Sequence, residues 1–178
     1  QLAGVKIEAT TVRQYHTSAV AHILGRIGKM DSDEWEYYKE LGYDQDDTIG
    51  KDGVEAAFEE YLHGEEGIRY TETDTSGKVI NEYWAQNDQG ELLTPKPGDN
   101  ITLTLDIRLQ EAVEQSLATR IPQLESEEAK IGAAVVIDVT DGGVLALASY
   151  PTFDLANFSS LYSQLEADPL SPMFNRAT

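Results

Sequence analysis

The chain has 178 residues, 40% of them hydrophobic, enough to bury a sizeable core in one large or two small domains. Its formal charge is −19, with 19 acids against 4 bases between residues 31 and 91; this excludes nucleic acid as a partner, because phosphate binding needs stripes of Lys and Arg. The absence of cysteine excludes disulfide and thiol chemistry, and no run of 18 apolar residues marks a membrane span.

In chain order, Gln1–Tyr15 alternates weakly, Val5, Ile7 and Ala9 against Lys6, Glu8 and Thr10, and predicts a strand. It has neither the charged start nor the apolar stretch of a signal peptide. His16–Gly28 predicts a helix, with Ala19, Val20, Ile23 and Leu24 at helical spacing and Gly25 as its breaker. His22 has no His or Cys near it in sequence and reads as a packed or surface histidine, not a metal ligand. Asp31 opens a second helix, capped at Ser32 or Asp33, with Trp35 and Tyr38 on one face and Gly42 as its stop. Gly50–Gly64 has the clearest helical period. Val54, Ala57, Phe58, Tyr61 and Leu62 fall on one side, Glu55, Glu59 and Glu60 on the other, and Gly64 ends it.

Arg69–Tyr83 then suggests a polar hairpin around Thr75–Gly77. The run Pro95-Lys96-Pro97-Gly98 is a break strong enough to divide the chain into 1–94 and 95–178. A strand at Ile101–Leu105 is expected next, then a helix opening at Asp106, whose Leu109, Val113 and Leu117 make a narrow stripe suited to lying on a sheet. Ala133–Ile137 and Val144–Ala148 flank a turn-forming cluster rich in Asp, Thr and Gly, and predict a β-hairpin. Their lack of alternation predicts cover on both faces and a place at the centre of a larger sheet. Past Pro151 the chain reads as loop, with a short helix near Ser160–Leu165. The fold class is α+β: a mixed first part, then a helix and a hairpin.

Chemistry is sparse. Asp44, Asp46, Thr48, Asp52 and Glu55 follow the ligand spacing of an EF-hand loop, but Ile49 stands where the sharp turn needs Gly, and Lys51 where an aliphatic residue is usual. No Ser is followed three residues later by Lys, no G-x-S-x-G occurs, and three scattered His make no triad. Glu127-Glu128 and Asp31/Asp33/Glu34 read as surface acids, not as a catalytic pair. No catalytic residue, metal ligand or cofactor site is assigned.

Five stretches together resemble one family, the class B penicillin-binding proteins, which are membrane-anchored peptidoglycan transpeptidases. They are AHILGRIG (21–28), IGKDGVEAAFEEYLHGEEG (49–67), PKPGDNITLTLDIRLQEAVEQSL (95–117), GAAVVIDVTDGGVLALASYPTFD (132–154) and NRAT (175–178). The insertion DSDEWEYYKELGYDQDD is most similar to the elongation-type members, penicillin-binding protein 2. The resemblance implies a non-catalytic pedestal, or dimerisation domain, over 1–94, and over 95–178 the first helix and hairpin of a transpeptidase domain. It also implies that the chain is part of a longer protein, with a membrane anchor before Gln1 and the acylated serine of S-x-x-K after Thr178. The motif residues carried over are Gly50, Gly53, Glu55, Gly64, Asp106, Asn175 and Arg176. Gly50, Gly53 and Glu55 also have a purely structural explanation, because a carboxylate in a first helical turn meets unpaired N–H groups.

Two functions follow. By resemblance, the chain positions a transpeptidase on the extracytoplasmic face of a bacterial membrane, and its partners are a SEDS-family glycosyltransferase, elongation scaffold proteins or a second copy of itself. The alternative is a secreted acidic binding module, with calcium at the 44–55 loop. In either case the expected partner surface is Trp35, Tyr38, Phe58 and Tyr61 as aromatic anchors, rimmed by Glu59 and Glu60.

Overall fold

The computed structural model describes residues 13–124 and 129–178. Helices and strands are interspersed, an α+β fold. The first stretch runs α1 (Ala21–Leu24), β1 (Ile27–Lys29), α2 (Ser32–Tyr38), β2 (Thr48–Gly50), α3 (Gly53–Ala57), α4 (Glu59–Leu62), β3 (Arg69–Thr73) and β4 (Val79–Trp84). The second runs α5 (Ile107–Arg120), β5 (Gly132–Ile137), β6 (Val144–Tyr150) and α6 (Phe158–Ala167). Strands pair antiparallel with their sequence neighbours, giving the two-stranded sheets β1–β2, β3–β4 and β5–β6 among the described residues. The chain forms two compact units, residues 23–104 and the residues before Ile23 together with 105–178.

The strand expected over Gln1–Tyr15 lies, up to Val12, outside the described residues; 13–15 are irregular. The helix expected over His16–Gly28 shrinks to α1. Val20 takes a left-handed φ of 65°, which a helix cannot pass through, and Gly25 at 78° ends it. Ile27–Lys29 then pairs as a strand with Thr48–Gly50.

In the 23–104 unit, the cap of α2 is Asp31, one residue earlier than the Ser32 or Asp33 read in the sequence. Asp31 accepts the Asp33 and Glu34 N–H groups, and Glu34 returns the bond to the Asp31 N–H at 2.8 Å, a reciprocal capping box. Glu34 also pairs with Lys51 beside β2. The long helix expected over 50–64 is three pieces: β2, α3 and α4. Phe58, at φ −120° and ψ 20°, leaves helical geometry and separates the two short helices. The β3–β4 hairpin is exposed along nearly its whole length. Its turn is closed by Asp74, which accepts from Ser76 and Lys78. Pro95–Gly98 is bonded into this unit, because Glu65 and Lys96 exchange backbone hydrogen bonds of 2.9 Å. Residues 101–105 form no strand; among the described residues they have no partner strand.

In the other unit, Asp106 caps α5 by accepting the Arg108 and Leu109 N–H groups. Leu109, Val113 and Leu117 are half-buried, and α5 packs against β6 and against the β5 face carrying Gly132, where a Cβ would sit 3.9 Å from Leu117. The fully buried residue of this helix lies beside that stripe. It is Gln110, whose amide bonds both backbone groups of Leu147 in β6. The expected hairpin is present, its turn held by Asp138 and Asp141. Cover on both faces holds along β6, none of whose residues is exposed, but not along β5. Val135 and Ile137 are exposed, because α5 occupies only the opposite face.

Candidate partner-binding site

Of the motif residues Gly50, Gly53 and Glu55, Gly50 packs against the Glu55 backbone and Gly53 against the backbone of Ile23 and Gly25. A Cβ on Gly50 would lie 2.1 Å from the Glu55 carbonyl carbon, and one on Gly53, whose φ is 60°, would lie 2.5 Å from the Ile23 carbonyl oxygen. Neither position has room for a side chain. Glu55 itself is 8% exposed and lies in the first turn of α3.

The faces of the 50–64 segment differ from the reading by periodicity. Glu59, placed there on the solvent side, is 7% exposed; Phe58 and Tyr61, placed on the apolar side, are exposed, Tyr61 by 55%. The break at Phe58 shifts the phase of α4 relative to α3, so one helical wheel cannot describe both. Buried Glu59 is satisfied. Its Oε2 accepts the Gly50 N–H at 2.7 Å, its Oε1 accepts the Tyr43 hydroxyl at 3.4 Å, and His63 Nδ1 lies 3.5 Å away. The Tyr43 ring stacks on His63 with centroids 3.8 Å apart, and Tyr38 tilts against Tyr43 at 4.9 Å. Burial, and then the Glu59 charge, push the Tyr43 phenol well above its ordinary value; the same two causes raise Tyr38. Sequence reasoning missed Tyr43 and His63, which no periodicity marks.

Of the residues expected at a partner surface, Trp35 and Tyr38 are half-buried, Phe58, Glu60 and Tyr61 are exposed, and Glu59 points inward. Glu60 and Tyr61 line a cleft of about 740 Å³. Gly64 lies at its edge, beside the Lys96 carbonyl. The carboxylates read against an EF-hand loop go elsewhere. Asp47 accepts the Asp44 N–H, Asp52 pairs with Arg26 at 3.0 Å, and Glu55 is buried; no group of metal-ligating side chains converges among the described residues.

Asn175 and Arg176 form a fastening of their own in the other unit. Asn175 Oδ1 accepts the Ser149 hydroxyl at 3.1 Å, and the Arg176 N–H donates to Ser149 Oγ at 2.8 Å. The Arg176 guanidinium donates to the carbonyls of Ser171, Phe174 and Leu170. His22 is a packing residue here, bonded to the Pro172 carbonyl at 2.6 Å and set edge-on to Phe153.

A sequence profile described as the penicillin-binding protein dimerisation domain matches residues 1–103. The chain belongs to the penicillin-binding protein dimerisation-domain family. It is 35% identical, over 98% of its length, to the peptidoglycan D,D-transpeptidase MrdA of Escherichia coli K12, and 32% identical, again over 98%, to MrdA of Acinetobacter baumannii. It spans about a quarter of the length of these relatives, 26% and 24%. A solved structure described as "Structural coordination of polymerization and crosslinking by a peptidoglycan synthase complex" matches 89% of this chain and 28% of its own, with TM-score 0.68 and 32% identity. Among the described residues no helix is long and apolar enough to cross a membrane.

Proposed function

We propose that this chain is the pedestal region of an elongation-type class B penicillin-binding protein, with residues 1–94 as the pedestal and 95–178 as the start of the transpeptidase domain. The whole protein is then a serine-type peptidoglycan D,D-transpeptidase on the extracytoplasmic face of the bacterial membrane. The pedestal holds the catalytic domain at its working position and contacts a SEDS-family glycosyltransferase and elongation scaffold proteins. The observation that carries this reading is the 35% identity to MrdA along 98% of the chain. The similarity to a chain from a peptidoglycan synthase complex supports partners of the same kind.

The test is co-purification of the full-length protein with its membrane glycosyltransferase. The comparison is a chimera whose residues 23–104 come from a division-type relative. The chimera is expected to lose the glycosyltransferase while still being labelled by a fluorescent penicillin, which reports a folded catalytic domain. Unchanged recovery of the glycosyltransferase with the chimera would overturn the pedestal's role in partner choice.

A further inference from the structure

The cleft of about 740 Å³ in the 23–104 unit combines two features that seldom share one concave surface. Its walls expose large apolar side chains, Leu41 (54%), Tyr61 (55%) and Ile68 (51%), over a floor that includes the buried Tyr43 ring. Around these stand six carboxylates and one lysine, Lys96, which Glu65 already neutralises at 2.5 Å. Asp47 is occupied by the Asp44 N–H. The carboxylates of Asp44, Glu60, Glu66 and Asp99 make no hydrogen bond or ion pair among the described residues.

From this juxtaposition we infer that the cleft is a docking groove for a basic segment of a partner protein, in which Lys or Arg flank an apolar or aromatic side chain. Unpaired carboxylates spaced along a groove suit charges spread along a polypeptide, and they do not gather around a point as ligands for one metal ion must. The exposed Tyr61 ring offers a face to an arriving cation, and Leu41 with Ile68 covers the apolar side chain between two charges. The sign of the charge decides against other occupants. A second copy would bring the same acids to the same place, and an anionic membrane surface would be repelled. The inference deepens the pedestal reading by naming the chemistry of a partner's contact, and its test does not use any cell-wall protein.

The test is titration of the 178-residue protein with an acetylated six-residue peptide alternating Lys and Leu, followed by calorimetry. A Lys–Gly peptide of equal charge and a Glu–Leu peptide serve as comparisons. Binding is expected for Lys–Leu alone, weakening as salt rises. The double variant E60K/E66K is expected to bind at least about tenfold more weakly, because reversing two groove charges removes most of the attraction for a basic peptide. Tyr61→Ala should weaken binding without changing its salt dependence. A matched reversal away from the groove, D33K/D88K, holds net charge equal and should leave affinity within about twofold; circular dichroism of both doubles controls for folding. The inference is overturned by equal loss in the two double variants, by equal affinity for Lys–Gly, or by no binding of Lys–Leu. None of these results bears on co-purification with the glycosyltransferase, so the two readings fail separately.

Discussion

Glu59 Oε2 accepts the Gly50 N–H at 2.7 Å, so a buried carboxylate on α4 closes the end of β2 nine residues back. The same side chain receives the Tyr43 hydroxyl. A glutamate in a sequence this acidic is easily counted as surface, yet this one holds a strand, a helix and an aromatic pair together. Glu59→Gln keeps the shape but removes the charge that strengthens both bonds, and the cost is about 1.5–3 kcal/mol of unfolding free energy. Glu60→Gln, one residue on and exposed, should stay within about 0.5 kcal/mol of the parent. Urea denaturation of the two variants checks the contrast, and equal effects would mean that Glu59 is not the tie.

Gln110 is the second buried polar tie. Its Nε2 donates to the Leu147 carbonyl at 2.9 Å and its Oε1 accepts the Leu147 N–H at 2.7 Å. Gln110→Leu strands both backbone groups away from water and should cost about 2–4 kcal/mol. The same change at exposed Gln115, one residue position round the helix from Glu114, should cost under about 0.5 kcal/mol. Chemical denaturation followed at the α5–β6 unit separates the two.

The Asp106 cap gives a pH dependence of known sign. The Leu109 and Arg108 N–H groups stabilise its carboxylate and hold its pKa below the ordinary aspartate value. A depressed folded pKa contributes stability that is present above the unfolded pKa and is lost as pH falls through the folded value. Asp106→Asn should therefore melt below the parent at neutral pH, with the gap narrowing through the acidic carboxylate range. A gap in Tm that stays constant from pH 7 to pH 3 would show that the charge contributes nothing beyond the hydrogen bonds an amide oxygen also accepts.

The 178-residue chain should not form a covalent adduct with a fluorescent penicillin. Acylation in this family needs a serine activated by a lysine three residues on, and no serine in this sequence has one. Stoichiometric labelling, reversed by hydroxylamine, would identify a nucleophile outside that pattern.

What the sequence made legible follows from how local each signal is. The β5–β6 hairpin was readable because apolar runs and an Asp/Thr/Gly turn sit side by side in the chain, and the Asp106 cap because it lies next to the helix it caps. The 50–64 segment misled for the opposite reason. Its apolar spacing fits one helix, but the Gly50 N–H and the Tyr43 hydroxyl draw Glu59 inward, and Phe58 leaves helical geometry so that it can turn. Glu59 lies sixteen residues from Tyr43, beyond the reach of any helical period. Of the cleft, Glu60 and Tyr61 could be named in advance. Leu41, Ile68 and Asp99 could not, since they lie far apart in the chain; Asp99 arrives only because the Glu65–Lys96 bridge and the Asp99 N–H bond to the Tyr61 carbonyl fold Pro95–Gly98 back onto α4.

The Gln110 amide also gives the β5–β6 sheet a direction of growth. A two-stranded hairpin has two outer edges, and either can template a further strand. Along β6 that edge is already taken, at Leu147 by the glutamine side chain and at Leu145 by the Asp106 N–H at 3.0 Å. A strand joining this sheet must therefore align on Gly132–Ile137, so the helix beside β6 selects which side of the hairpin can be extended.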